Sequence, residues 1–114
     1  MKHGDEVRIV HRDSTVEVGH VHMAGTVLVH VRHDDGSLSY HSPRALEAMR
    51  AVLDAAEAVA RERREVVEAA KAWDGVHATT SGFHALEHLR DRLILLREAE
   101  RVEAEARAKL EALR

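Results

Sequence analysis

The chain changes the period of its hydrophobic pattern once, at Ser42-Pro43, and that change bounds what it can fold into. Before it, Val, Ile, Thr and His alternate with polar residues and Gly-containing turns. After it, Ala, Glu, Arg and Leu recur at threes and fours. A period of two puts successive side chains on opposite faces of a strand; a period near 3.6 makes a stripe along a helix. The pattern predicts an α+β fold: a four-stranded antiparallel β-meander or open barrel, followed by a long antiparallel two-helix hairpin. The expected boundaries are a meander over 1–42, helix one over 43–74, a loop over 75–80 and helix two over 81–114. At 114 residues this is the size of a single domain.

The strand register follows from the turns. Two-residue turn centres at Arg12-Asp13, Ala24-Gly25 and Asp35-Gly36 pair Val7 with Val18, Ile9 with Val16 and His11 with Ser14. They also pair His20 with Val29, His22 with Val27, Val31 with both Val18 and Tyr40, and His33 with Leu38. In that register Val7, Ile9, Val16, Val18, Val27, Val29, Val31, Leu38 and Tyr40 share one face. A slip of one residue would turn a strand's whole set to the other side.

Helix one opens on Ser42 as N-cap and Pro43 at its first position. Its apolar positions run from Leu46 to Trp73, and Asp74-Gly75 reads as its end. Helix two starts near Thr80 or Ser81, with Leu86, Leu89, Leu93, Leu96, Val102, Ala106, Leu110 and Leu113 as its stripe. A helix of about 31 residues is roughly 46 Å long and a strand of about nine spans roughly 30 Å, so the hairpin overhangs the sheet by roughly 15 Å. The overhang would hold Val66, Val67, Ala70, Trp73, Phe83, Leu86 and Leu89. Two helices alone do not bury all of that, and uncovered apolar patches mark partner sites. The expected function is therefore a non-catalytic protein-binding or assembly module, with Trp73, Phe83 and Leu86 meeting a protein partner or a second copy.

The stretches Gly4-Asp5-Glu6-Val7, Gly19-His20-Val21 and Val29-His30-Val31, followed by Asp34-Asp35-Gly36, resemble small β-barrels of the Tudor and KOW type. The resemblance spans residues 4–46 and implies a module that binds proteins or nucleic acids. Tudor-type methyl-lysine readers use an aromatic cage. The β-segment offers Tyr40 alone, so the resemblance does not extend to that activity.

Composition narrows the classes further. The net charge of −3 disfavours generic nucleic-acid binding. With no cysteine there are neither disulfides nor thiolate metal ligands, which fits a cytoplasmic setting. No apolar run has membrane-span length, and no signal-peptide pattern opens the chain. Asn and Gln are absent and Arg far outnumbers Lys. A thermophile, a GC-rich genome or an idealised designed scaffold without natural activity would each give this usage. Ten histidines turn the net charge positive when all are protonated.

Those histidines also supply the competing reading, a zinc or other transition-metal site with a hydrolytic version. His84-Ala85-Leu86-Glu87-His88 resembles the inverzincin signature H-x-x-E-H over five residues. His84 and His88 share a helix face, with His77 or Asp91 as third ligand and Glu87 as outer-sphere group or base. Only 26 residues follow His88, too few for that protease fold. His20-Val21-His22 is the second candidate, with His3 and Asp5 as cross-strand neighbours. On the opposite face, His30 and His41 are expected side by side. A hydrolytic triad can be drawn from Ser81, His77 or His84, and Asp74, but Ser81 is better explained as a cap. No G-x-S-x-G turn and no Gly-rich phosphate loop is present.

Overall fold

The computed structural model describes residues 1–76 and 80–114; the side chains of 75, 76, 80 and 81 lie outside that description. It has the expected α+β arrangement. Four strands, β1 (Glu6–Val10), β2 (Val16–Ala24), β3 (Val29–His33) and β4 (Leu38–His41), form one antiparallel sheet in the order β1-β2-β3-β4. Two helices follow, α1 (Pro43–Val76) and α2 (Thr80–Ala112). The chain forms two compact units. One holds Met1–Val52 with Arg107–Arg114, the other Leu53–Ala106.

In the sheet unit the register differs from the sequence expectation at every hairpin. β1 pairs with β2 as Val7↔Gly19, Arg8↔Val18 and Ile9↔Glu17, one residue away from the expected pairs. The cause is the turn. It is a three-residue loop: His11 donates to the Thr15 carbonyl, Ser14 donates to the His11 carbonyl, and Ser14 takes φ 70°. That is the type I turn plus left-handed residue of three-residue hairpins. The β3–β4 turn repeats the design, with Gly36 at φ 85° and bonds from His33 to Ser37 and from Gly36 to His33. Asp13 and Asp35 brace these loops alike, each accepting from the backbone N–H and hydroxyl two residues on. Those bonds hold both carboxyls below the ordinary carboxylate range. The middle hairpin turns at Thr26-Val27, and a bulge between Val21 and Met23 places His22 as the extra residue.

Because strand faces alternate, each odd slip inverts a strand. β1 and β3 keep the expected inner residues, Val7 and Ile9, Val29 and Val31. β2 and β4 are turned over. Val16, Val18, Leu38 and Tyr40 are exposed, and Val27 is exposed at its turn. The inner face carries Glu17, Gly19 and Val21 from β2, and Ser39 and His41 from β4, aligned with Val31 and Val29. The core of this unit is Ile9, Val10, Val21, Val29 and Val31 with Ala45, Leu46, Met49 and Val52 of α1 and Leu110 of α2. Ser42 caps α1 as expected, its hydroxyl accepting from the Ala45 N–H at 3.0 Å.

The helical unit is a hairpin with a seam of strict spacing. On α1 the seam runs through Ala55, Val59, Glu62, Val66, Ala69 and Trp73; on α2 it runs through Gly82, Ala85, Leu89, Arg92, Leu96, Ala99, Glu103 and Ala106, with Leu53, Ala56, Ala58, Ala70 and Leu86 half-buried at its flanks. Alternating steps of three and four keep such a seam facing its partner helix. Inside it Arg92 donates to Glu62 at 2.7 Å, with Glu65 at 3.9 Å, and the Glu62 and Arg92 side chains are only 17% and 22% exposed. Among the described residues no helix is long and apolar enough to cross a membrane.

Candidate functional site

The inversion of β2 and β4 gathers five polar side chains into one row on the sheet. His33, at the end of β3, is buried at 6% exposure. Its Nε2 lies 2.6 Å from the Ser39 hydroxyl on β4. The same hydroxyl lies 2.8 Å from Nε2 of His41, two residues on and on the same face. On the other side, His33 Nδ1 stands 3.1 Å from Oε1 of Glu17 on β2. The contact is out of line for a hydrogen bond, and Nδ1 has no aligned partner there. The second carboxylate oxygen, Oε2, is 2.9 Å from Nε2 of His11, at the end of the first hairpin.

Gly19 makes room for the row. It pairs with His33, and a Cβ there would run into Val31 Cγ1, 3.1 Å from the Arg32 carbonyl and 3.5 Å from His33 Nδ1. A side chain at this position would have to displace Val31 and crowd the β3 backbone, while touching the His33 ring only at ordinary contact distance.

One assignment of the protons links the whole row. With a neutral His33, a proton on Nδ1 would face the Glu17 carboxylate, where a bare lone pair would be repelled. His33 Nε2 is then an acceptor, and the Ser39 hydroxyl donates to it. Ser39 Oγ has its own proton spent, so it accepts from His41 Nε2–H. The row reads in one direction: His41 donates to Ser39, Ser39 donates to His33, and His33 presents its N–H to Glu17. Burial first, then neighbouring positive charge, holds His41 below the ordinary histidine range. A neutral His41 with its proton on Nε2 is the form this row requires.

A cavity of about 440 Å³ opens at the next residues, between the exit of β1 and the end of β4. Ile9, Val10, Tyr40, Ala45, Met49 and Leu113 form its apolar wall, and His11, Arg12, His41 and Arg114 its polar one. Arg114 closes it by donating to the Val10 carbonyl.

The residues singled out from sequence fall elsewhere. His84 and His88 are exposed on α2, and His84 Nδ1 is 3.9 Å from Glu87. His77 lies outside the described residues, as does the side chain of Ser81. His20 points outward from β2, opposite Glu6, rather than to the apolar side beside Asp5. His22 stands on the bulge with its ring 5.9 Å from that of His3, the neighbour expected for it. His30 packs edge-on against Tyr40 at 4.6 Å on the outer face, while His41 faces inward, so those two histidines are not side by side. Among the described residues no three His, Asp or Glu side chains gather as a metal-binding group. Of the three expected partner contacts, Phe83 is 61% exposed, whereas Trp73 and Leu86 are half-buried along the seam.

Sequence reasoning missed Glu17, His33 and Ser39 because they stand on three strands and meet only in the true register. The signal lay in the turns: Arg12-Asp13-Ser14-Thr15 and Asp34-Asp35-Gly36-Ser37 each place an Asp two residues before a hydroxyl, the mark of an Asx-braced loop. α2 holds a second missed feature. Leu93, Ile94 and Leu95 are all exposed, and only Leu96 of that run turns into the seam. No family model, curated protein or solved structure compared with this chain matches it.

Proposed function

We propose that the chain is an assembly module that pairs with a second copy of itself through α2. The carrying observation is the run Leu93-Ile94-Leu95-Leu96, which makes that stretch of helix apolar on every side although its seam needs only Leu96. A helix apolar all round is one that is covered all round. Ile94 is 63% exposed and Val102 44%, and both lie four residues from Glu98, one before and one after. An antiparallel pair of α2 helices crossing at Glu98 therefore sets Ile94 of each copy on Val102 of the other, which is the self-complementarity a two-fold contact requires. Leu95 then meets Arg101, whose charge is already balanced by Glu98 and Glu105. Glu98 against its own copy and Asp91 against Glu105 are the unfavourable pairs of this arrangement, the first offset by the two Arg101 side chains beside it. A cysteine-free chain needs no oxidising compartment, and we place this assembly in the cytoplasm.

Light scattering behind size exclusion tests the reading. The expected result is twice the 12.8 kDa chain mass at micromolar concentration. Ile94→Glu with Val102→Glu should return the single-chain mass while circular dichroism keeps its helical signal. A wild-type chain that stays single up to millimolar concentration overturns it.

A further inference from the structure

We propose that Ser39 is a nucleophile for small activated esters, with His33 as its general base, Glu17 as the positioning carboxylate and His41 as a second donor to the serine oxygen. The roles follow from the row's proton direction. The Ser39 hydroxyl lies 2.6 Å from His33 Nε2, within reach to hand it a proton. An imidazole that accepts a serine proton on Nε2 while its Nδ1–H faces a carboxylate is the arrangement that activates serine in hydrolases on unrelated folds. Here the carboxylate is 3.1 Å away, and its other oxygen is held by His11 at 2.9 Å. Apo sites of this kind are often loosely aligned and tighten when substrate binds.

The surroundings supply further parts. β4 is the edge of the sheet. The hydrogen-bonded pair His33/Ser37 fixes the alternation along β3 and β4, so Ser39 turns its backbone N–H toward β3 and Tyr40 turns its own to the open edge. The Tyr40 N–H, one residue beyond the nucleophile, is a donor for an oxyanion on a Ser39-bound carbonyl. The neighbouring cavity, lined by His41 of the row, has Ala45 and Met49 in its apolar wall, room for a short aliphatic or aromatic acyl group.

The reaction balances without a co-reactant other than water. Ser39 Oγ bonds the ester carbonyl carbon while its proton passes to His33 Nε2. The carbon–oxygen bond to the alcohol breaks, and the alcohol leaves with that proton. Water then bonds the carbonyl carbon and gives a proton to His33. The Ser39–acyl bond breaks, the acid leaves, and His33 returns the proton to Ser39 Oγ.

The test is labelling of the full chain with a fluorophosphonate, in which Oγ–P forms and fluoride leaves, read by intact mass and peptide mapping. Hydrolysis of p-nitrophenyl acetate is followed in parallel. A single adduct on Ser39 is expected, at least tenfold above Ser14, Ser37 and Ser42, and lost in urea. Ser39→Ala should reduce ester turnover at least tenfold with an unchanged melting curve. Glu17→Gln should slow labelling and move its pH midpoint downward, because the amide no longer stabilises the imidazolium that forms; a merely structural role would leave the midpoint in place. Labelling spread evenly over serines and Tyr40 overturns the proposal. So does ester turnover that Ser39→Ala leaves unchanged, which would belong to the exposed histidines. The wild-type adduct map decides the matter even if a variant fails to fold.

Discussion

In the helical unit one carboxylate, Glu62, meets one guanidinium, Arg92, inside an otherwise mostly small and apolar seam. In the sheet unit a row of five polar side chains crosses the inner face beside a valine-rich core. Both arrangements place polar groups where apolar ones would pack more simply. The lone pair acts on register: Arg92 Nε is buried with no partner, and only one alignment of the two helices brings Arg92 to Glu62. The row depends on register rather than setting it, because its members meet only after the turns have fixed the pairing. A polar group in a helical seam is thus a specification of the fold, and a polar row on the sheet is a product of it.

The sharpest way to break this contrast is Glu62→Ala. Removing one member of a shielded pair strands the other, and a loss of about 3 kcal/mol is expected in urea unfolding. Replacing both Glu62 and Arg92 by Leu should restore the stability yet loosen the alignment of the hairpin, read as line broadening of α2 amide resonances. Equal losses in the single and double variants would refute the register role.

Gly19→Ala is the matching test in the sheet. The added Cβ meets Val31, and overpacking of this kind costs about 2 kcal/mol. Val31 and the β3 backbone should shift, and the His33 imidazole nitrogen shifts report whether that movement reaches the row. An unmoved His33 would show that Gly19 is not what admits the ring.

A smaller effect comes from His41. Its folded pKa is depressed by burial first and by neighbouring positive charge second, so the unfolded chain takes up the proton more readily. The sign follows: the stabilisation from a neutral His41 is present above the unfolded value of about 6.5 and is lost as pH falls toward the lower folded value. Urea midpoints at pH ~7.5 and ~5.5, on either side of that value, should differ less in His41→Gln than in the wild type. A pH dependence that His41→Gln leaves intact assigns the effect to other histidines.

Ser14→Gly should have the smallest effect and the opposite direction. Ser14 is the one non-glycine residue with positive φ among those described. Glycine removes that strain at some cost in chain entropy, for a net gain of a few tenths of a kcal/mol, roughly 0.5 at most. A destabilised variant would mean that the Ser14 hydroxyl, 3.4 Å from the Arg107 guanidinium, matters more than its backbone.

The fold was legible because its signals are local. Ser42 and Pro43 start a helix by their own chemistry, and the steps of three and four along α1 and α2 need no partner to be read. Register was not, because β2 has apolar residues of both parities. Val16 and Val18 satisfy one face, Val21 with Gly19 the other, and periodicity cannot choose between them. What chooses is whether the first loop holds two residues or three, a decision made by the left-handed Ser14 and the carboxylate of Asp13. The row of Glu17, His33 and Ser39 inherits that ambiguity whole. The apolar girdle of α2 was half legible: Leu93 was placed in the stripe, but the seam runs through Leu89, Arg92 and Leu96 and leaves Leu93 outside.

The two parities of β2 have a consequence for how the molecule is made. A nascent first hairpin can close on Arg12-Asp13 as a two-residue turn and pair Val16 and Val18 with Ile9 and Val7, a contact set that is apolar and immediately rewarding. Hairpins close in microseconds, long before distant strands arrive to vote. Escape requires breaking every pair at once, since a strand cannot slide by one residue without turning over. The chain therefore carries a kinetic competitor to its own first hairpin. The Asp13 brace spans three residues of sequence and favours the three-residue loop over that competitor.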